Sequence, residues 1–455
     1  MTGSHGGAVA VSNSVFNMSG GAGITGNSTP AGASRGGGVY AYQSVLNFSD
    51  DVLIARNRTT GSNSQGGAIF ASQSEVNLTN AIVSLNETTG TGSQGGGIYV
   101  EAGAANISDT LLSQNNTSGA GAWGGGLFND GGEVEFYESS VILNTVSGLS
   151  SNGGGIVNLG GNLLVRDSEV SQNEATWDEA RGGGVYSETG LLGPDLTSIV
   201  NSTVSGNFAA RRGGGVFNAG GRTELSYSTV TDNTVPFNNV GAGVASLGST
   251  LTTLTSLEST IVAGNNGGGA VPGTDIDFVD GDFENSFLSL GYNLVGTGDA
   301  LPAFDQPGDQ INVLDPMLEP LADNGGPTRT HALMEGSPAI NAGNPNFDPN
   351  DFDPPLEFDQ RGAPFARVNQ GRIDIGAFES DFSTTGPADF DDNGVTDGFD
   401  FLAWQRGYGI DSEAAKSDGD ANSDQAVDQV DLGIWEATFG DVAPLAPAAI
   451  ASAFA

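Results

Sequence analysis

Cysteine is missing from this 455-residue chain, which removes disulfides, thiol nucleophiles and cysteine-ligated zinc together. Histidine is nearly missing. His5 and His331 are the only two, too few for a histidine-built metal site or for general-base work of any scale. Basic residues are scarce as well: 14 Lys+Arg stand against 54 Asp+Glu, for a formal net charge of -40. Such a chain should repel nucleic acid and anionic membranes and attract divalent cations. No stretch approaches the roughly 18 consecutive apolar residues of a membrane span, so no transmembrane segment is expected.

What the chain has is a period of about 29 residues. A Gly-Gly-Gly/Ala step followed by an aliphatic residue recurs at Val9, Val39, Ile69, Ile98, Leu127, Ile156, Val185, Val216 and Val244. In phase with it stand Asn27, Asn57, Asn86, Asn115, Asn144, Asn173, Asn207, Asn233 and Asn265. Three residues before each Asn is Ile24, Ile54, Val83, Leu112, Val141, Val170, Val204, Val230 or Val262. Fixed-period units too small to bury a core alone must stack. Helical spacing is absent, and β-branched residues alternate between Gly, Ser and Asn turns. A propeller blade needs about 40 residues or more, and the leucine pattern of a leucine-rich repeat is missing.

The expected fold is therefore mainly β: a right-handed, single-stranded parallel β-helix of about nine coils over residues 1–265, with the aliphatic column inside. Coils spaced about 4.8 Å apart give a rod of about 40 Å. A small column from Ala22 to Thr260, two residues before the aliphatic one, should also point inward. The Asn column is read structurally: Asn tolerates left-handed turns and bonds to its neighbours above and below. The Gly-Gly-Ala/Gly-Ile-Tyr/Phe steps with in-phase Asn resemble β-helix proteins of the pectate-lyase-like and polymorphic outer-membrane-protein kind. No secretory signal precedes the first coil, so the natural start, with a signal peptide and earlier coils, is expected upstream.

Beyond residue 265 the period fails. Residues 266–455 carry 34 acids and 6 bases, net -28, against 20 and 8, net -12, before them. The signature Asn293-Leu294-Val295, Asp315-Pro316-Met317-Leu318, Pro320 to Thr328, Thr330-His331-Ala332-Leu333, Gly336 to Gly343, Asp359-Gln360-Arg361-Gly362 and Asp374 to Glu379 is similar to the choice-of-anchor Q domain of secreted bacterial β-helix proteins. Residues 266–380 are accordingly read as a cap over the open last coil. His331, Asp359 and Arg361 are read as structural, with Arg361 paired to a carboxylate.

Residues 387–441 contain a duplication at an offset of 31. Asp389, Asp391, Asn393, Asp397 and Asp400 fill positions 1, 3, 5, 9 and 12 of a twelve-residue loop; Asp420, Asn422, Asp424, Asp428 and Asp431 fill them again. Oxygen ligands at those positions, with the carbonyls of Val395 and Ala426 at position 7 and an amphipathic helix after each loop, follow the EF-hand scheme for calcium. Trp404/Trp435 and Tyr408/Phe439 should give the helices a shared core. With Asp at position 12 and only the exit helix present, the segment resembles a type I dockerin. That resemblance implies a cohesin-like partner, but Gly398-Phe399 and Gln429-Val430 stand where a small hydroxyl pair is usual. Gln425 replaces Gly394 at the sharp turn. Residues 442–455 are an Ala/Pro-rich tail, expected to be disordered.

Six residues before the Asn column run Asp51, Asn80, Asp109, Glu138, Asp167 and Asn201. Three carboxylates stacked at about 4.8 Å repel unless a cation or proton is shared. A calcium-dependent polysaccharide lyase could use Asp109, Glu138 and Asp167 with Arg166 as base, although strand alternation should point Arg166 away from Asp167. A solvated acid ladder is the favoured reading, and no catalytic residue is assigned. A polar stripe (His5, Arg35, Gln65, Gln94, Trp123, Asn152, Arg181, Arg212) and an aromatic column (Tyr40, Phe70, Tyr99, Phe128, Tyr186, Phe217) complete the rod. If the aromatics face out they form a sugar platform; a core role is favoured. The function expected is that of an exported, cell-surface or matrix protein that binds a partner or surface polysaccharide and attaches through calcium. A polysaccharide-degrading enzyme on the same rod is the alternative.

Overall fold

One coil shows how the repeat becomes structure. It runs through the strands Ile98–Glu101, Ala104–Ser108, Leu111–Ser113 and Asn116–Ser118, and each pairs in parallel with its equivalent 29 residues on, as in Ile98↔Leu127, Ala105↔Val134 and Leu112↔Val141. The computed structural model describes residues 4–190, 195–236, 240–248, 253–267, 274–279, 284–369, 372–382, 386–391, 396–422 and 424–439. The chain is a parallel β-solenoid of about nine turns. Among the described residues, no helix is long and apolar enough to cross a membrane.

Because the register holds from coil to coil, equal positions stack. All nine aliphatic residues before the Asn column are buried, Val141 at 1% exposure, in one continuous core. Each such burial contributes roughly 1.5–3 kcal/mol. The small column lies inside too, but its hydroxyls make a second ladder: Thr110 N–H donates to Ser139 Oγ at 3.1 Å, and Ser139 N–H to Ser168 Oγ at 3.1 Å. The glycine steps close coil on coil. A Cβ on Gly96 would sit 2.4 Å from the Gly125 carbonyl oxygen.

The Asn ladder is present, though not for the left-handed geometry expected of it. Left-handed φ falls on the residue before each Asn, as at Arg56, Leu85, Gln114, Leu143 and Gln172. The Asn side chain instead completes the backbone. Asn115 Nδ2 donates to the Val83 carbonyl at 3.0 Å and to Asn144 Oδ1 at 3.0 Å, and the Asn115 N–H donates to that same oxygen at 2.9 Å. The ladder ends on Asp275, whose Oδ1 accepts from the N–H and Nδ2 of Asn265.

The aromatic column, apart from half-buried Tyr40, is buried without belonging to the central core. Phe70, Tyr99 and Phe128 stack face to face at 5.3 and 5.1 Å, and Tyr186 stacks on Phe217 at 5.7 Å, in a cluster of their own. The polar stripe covers them: the guanidinium of Arg35 lies 4.6 Å from the Phe70 ring centre and that of Arg181 5.3 Å from Phe217. Where Val157 interrupts the stack, Trp123 packs 6.3 Å from Phe128 and 5.4 Å from Tyr186. These rings offer no open sugar platform.

Strand pairing continues past residue 265. Ile276–Val279, Asn285–Ser289 and Leu294–Val295 add to the coil before them. The core's end is closed by the turn Leu301–Ala303 and by Phe304. Most of the following segment does something other than cap: it folds back along the rod's flank. Arg329 Nε donates to both carboxylate oxygens of the buried Glu169 (3.1 and 3.2 Å), and Thr203 Oγ1 donates to Gln360 Oε1 at 2.6 Å. His331 Nε2 lies 2.8 Å from Ser205 Oγ, and the Ala377 N–H donates to Thr229 Oγ1. Ile261 and Leu294 pack there with Leu333, Ala339, Ile340 and Ile375.

The C-terminal module holds two helices, α1 (Gly398–Gly407) and α2 (Gln429–Thr438), each opened by a capping box from Asp397 or Asp428. Capping boxes satisfy the orphan N–H groups of a first turn. Phe390, Trp404 and Val427 are buried in its small core. Tyr408 and Phe439 are not part of it. They are 57% and 58% exposed, each resting on the Trp of its own helix.

Candidate metal centre

Two acidic constellations were legible in the sequence, and the fold treats them differently. In the C-terminal module, carboxylate oxygens of Asp389, Asp391 and Asp400 converge within 4.8 Å of one another. Asp389 and Asp400 are buried, and Asp391 is exposed at the mouth. Asp400 organises the loop: Oδ1 accepts from the N–H of Phe390 (2.6 Å) and Asp391 (3.2 Å), and Oδ2 accepts from that of Asp397 (2.7 Å). Asn393 and Val395 lie outside the described residues.

Loop two repeats this arrangement. Asp431 Oδ1 accepts from Ala421 N–H (2.8 Å) and Asn422 N–H (3.2 Å), and Oδ2 from Asp428 N–H (2.8 Å). Asp420 Oδ2 accepts from Gln425 N–H, while Asp420 Oδ1 is buried with no hydrogen-bond partner among the described residues. An orphaned buried carboxylate oxygen is costly unless something fills its lone pairs. Asp424 Oδ1 accepts from Ala426 N–H, which leaves the Ala426 carbonyl for position 7. Gln425 sits at φ 71°. Residues 386–439 contain 13 acids and only Arg406 and Lys416 as bases. The donor set is all oxygen and flexible, which suits calcium and suits zinc or copper poorly.

The rod's acid ladder is not a matching site. Its residues occupy a left-handed corner between strands, with φ 47° at Asp109 and Glu138 and 51° at Asp167. That corner breaks strand alternation and corrects one expectation: Arg166 does not face away from Asp167 but donates to its Oδ2 at 3.2 Å. Both lie under the folded-back segment. Arg166 Nη2 also donates to the Pro355 carbonyl, Asn201 Nδ2 donates to Asp167 Oδ1 and the Phe358 carbonyl, and Arg166 is 4% exposed. Glu138 is raised above the ordinary glutamate range by burial and by Asp109, with which it shares a hydrogen bond. The proposed base is thus buried and engaged.

Burial pushes Asp167 up to about 6, against the pull of Asn201 and Arg166. A carboxyl raised in the folded state contributes stability that is present below the unfolded value near 4 and is lost as pH rises through about 6. Asp167→Asn should therefore match the parent near pH 4 and exceed it by on the order of 2 kcal/mol at pH 7.5. Thermal unfolding of both proteins across that range, with calcium held saturating, tests this. A gap that fails to widen with pH defeats it.

His331, Asp359 and Arg361 form no catalytic set. His331 Nδ1 bonds the Glu319 carbonyl, whereas Arg361 pairs with Asp359 at 2.6 Å with its guanidinium against Phe365 and Phe378. The Glu169–Arg329 pair went unread in the sequence. Its signal was there: the outward column reads Leu53, Ile82 and Leu111, turns polar at Ser140, and continues as Glu169, Thr203 and Thr229 where the segment docks. No family model, curated protein or solved structure matches the chain.

Proposed function

We propose that this is an exported surface or matrix protein in which the solenoid presents a long, regular surface and the C-terminal module attaches it through calcium. The observation that carries this reading is the convergence of Asp389, Asp391 and Asp400 in a module with almost no basic residues, with Asp431 bonding the backbone of loop two as Asp400 bonds that of loop one. The duplicated loop-helix pattern favours a dockerin-like module, and the residue 266–380 signature favours a choice-of-anchor Q segment of the kind found on secreted rods. The partner side of the module is apolar: Phe399 and Val430, at loop position 11, are 68% and 56% exposed. Phe399 also lines a hollow of about 420 Å³ with Phe390, Asp391, Leu402, Ala403 and Arg406. A cohesin-like partner would have to meet that surface with apolar side chains of its own. The rod's partner is a cell-surface polysaccharide.

The polysaccharide-lyase alternative is disfavoured because Arg166, its base, is buried and bonded. The test is a panel of uronate-containing and neutral glycans against the full chain, with and without calcium. Retention without cleavage is the expected result. Release of unsaturated uronate products, lost in Asp109→Ala, would establish the lyase instead.

A further inference from the structure

Calcium loops of this kind are too small to be rigid alone, and here each is tied to the helix of the other. Trp404 on α1 donates its indole N–H to the Asp428 carbonyl at 2.8 Å, and Trp435 on α2 donates its own to the Asp397 carbonyl at 2.9 Å. Asp397 and Asp428 are the position-9 residues of loops one and two and also the N-caps of α1 and α2. The Trp of helix one therefore fixes the ligand-bearing corner of loop two, and the reverse holds with near twofold symmetry. Phe401 lies between them, 5.7 Å from Trp404 and 4.9 Å from Trp435. Two backbone bonds reinforce one direction: Gly409 N–H donates to the Val427 carbonyl and Val427 N–H to that of Ile410. Loop two is thereby pinned to the segment that leaves α1.

We propose that Trp404 and Trp435 are positioning residues that couple the two loops, so that calcium in one raises the affinity of the other. The idea rests on the calcium reading of the module. Without a cation, the clustered carboxylates of a loop repel and its helix N-cap is loosely set. Filling loop one fixes Asp397 and α1, and with α1 it fixes Trp404, which holds the Asp428 carbonyl in place before loop two binds. Loop two then loses less conformational freedom on binding, which is positive coupling. By linkage the effect on loop one is equal.

The test uses the full chain and calcium alone as the probe, followed by calorimetry and by tryptophan fluorescence. Loop-two affinity is compared in the parent and in Asp389→Ala/Asp391→Ala, which disables loop one. It should be about 5- to 150-fold weaker in the variant, the usual range of coupling between sites. Trp404→Phe keeps the ring and deletes the N–H, and should bring that ratio close to one. With loop one intact, Trp404→Phe should weaken loop two, the far loop, about as much as disabling loop one does, and in the loop-one-disabled background it should add little, a dependence on loop-one occupancy that a merely structural role within α1 would not show. Trp435→Phe should act reciprocally on loop one, with helical content at saturating calcium as the control for folding. A ratio of one in the parent, or a ratio that survives both Trp→Phe variants, overturns the coupling and leaves the calcium reading standing. No calcium uptake at millimolar concentration overturns both.

Discussion

Val141→Asp should leave the solenoid unable to hold its fold at ordinary temperatures. Val141 is 1% exposed, pairs with Leu112 below and Val170 above, and belongs to a core in which every neighbour along the stack is aliphatic. A carboxylate there has no partner, and the lost apolar burial adds to the desolvation penalty, so a destabilisation of roughly 4 kcal/mol or more is expected. Val15→Asp is the control. Val15 is 62% exposed on the first coil, and its replacement should stay within about 0.5 kcal/mol. Thermal unfolding of the full-length variants separates the two. Equal tolerance of both would mean that the aliphatic column is not the interior.

The solenoid was readable because its determinants repeat. One coil's ambiguity is removed by the next, and the aliphatic column and the Asn ladder sit at fixed offsets from each other across nine coils. The facing of the aromatic column was harder, since its burial depends on side chains from a different turn: Arg35 and Arg181 reach over Phe70 and Phe217 from the stripe before the glycines. Periodicity within a strand carries no trace of that. The left-handed corner at Asp109, Glu138 and Asp167 was missed for a related reason. Alternation was assumed to run unbroken, and a single positive φ at each corner reversed the facing of Arg166.

The place of the segment after residue 311 along the rod was not legible in the sequence. A cap over the core's end and a strap along the flank both bury apolar residues, and composition does not distinguish them. The outward column does. Aliphatic at Leu53, Ile82 and Leu111, it turns polar at Ser140 and continues as Glu169, Thr203 and Thr229, these three bonded to the segment, before Ile261 packs against it. Glu169 alone should have prompted the question, since a lone acid in a column of aliphatics and hydroxyls asks for a cation, and Arg329 supplies it. The two helices of the C-terminal module were readable because the Asp positions before them recur at one offset, and Asp397 and Asp428 cap the helices that follow.

Chelation should melt α1 and α2 and leave the rod intact. The module's core is small, Asp389, Asp400, Asp420 and Asp431 are all buried, and 13 acids against 2 bases leave their repulsion uncompensated. Metal binding and folding are then one equilibrium. Excess chelator should remove the helical signal while the β signal of the solenoid and its thermal transition stay where they were. Calcium should restore the helices, and magnesium, which needs near-octahedral geometry and keeps its water, should do so poorly. The two loops should not be equal. Gln425 holds φ 71°, a left-handed conformation that costs a non-glycine residue roughly 1–2 kcal/mol, whereas the sequence of loop one carries Gly394, outside the described residues, at the equivalent position. Asp389→Ala should therefore reduce total calcium affinity more than Asp420→Ala. Gln425→Gly should tighten loop two by about five- to tenfold, the equivalent of roughly 1 kcal/mol. Helices that persist in chelator would show that the buried carboxylates are satisfied by the protein itself, and a Gln425→Gly variant that binds more weakly would show that the left-handed turn is not what sets loop two's affinity.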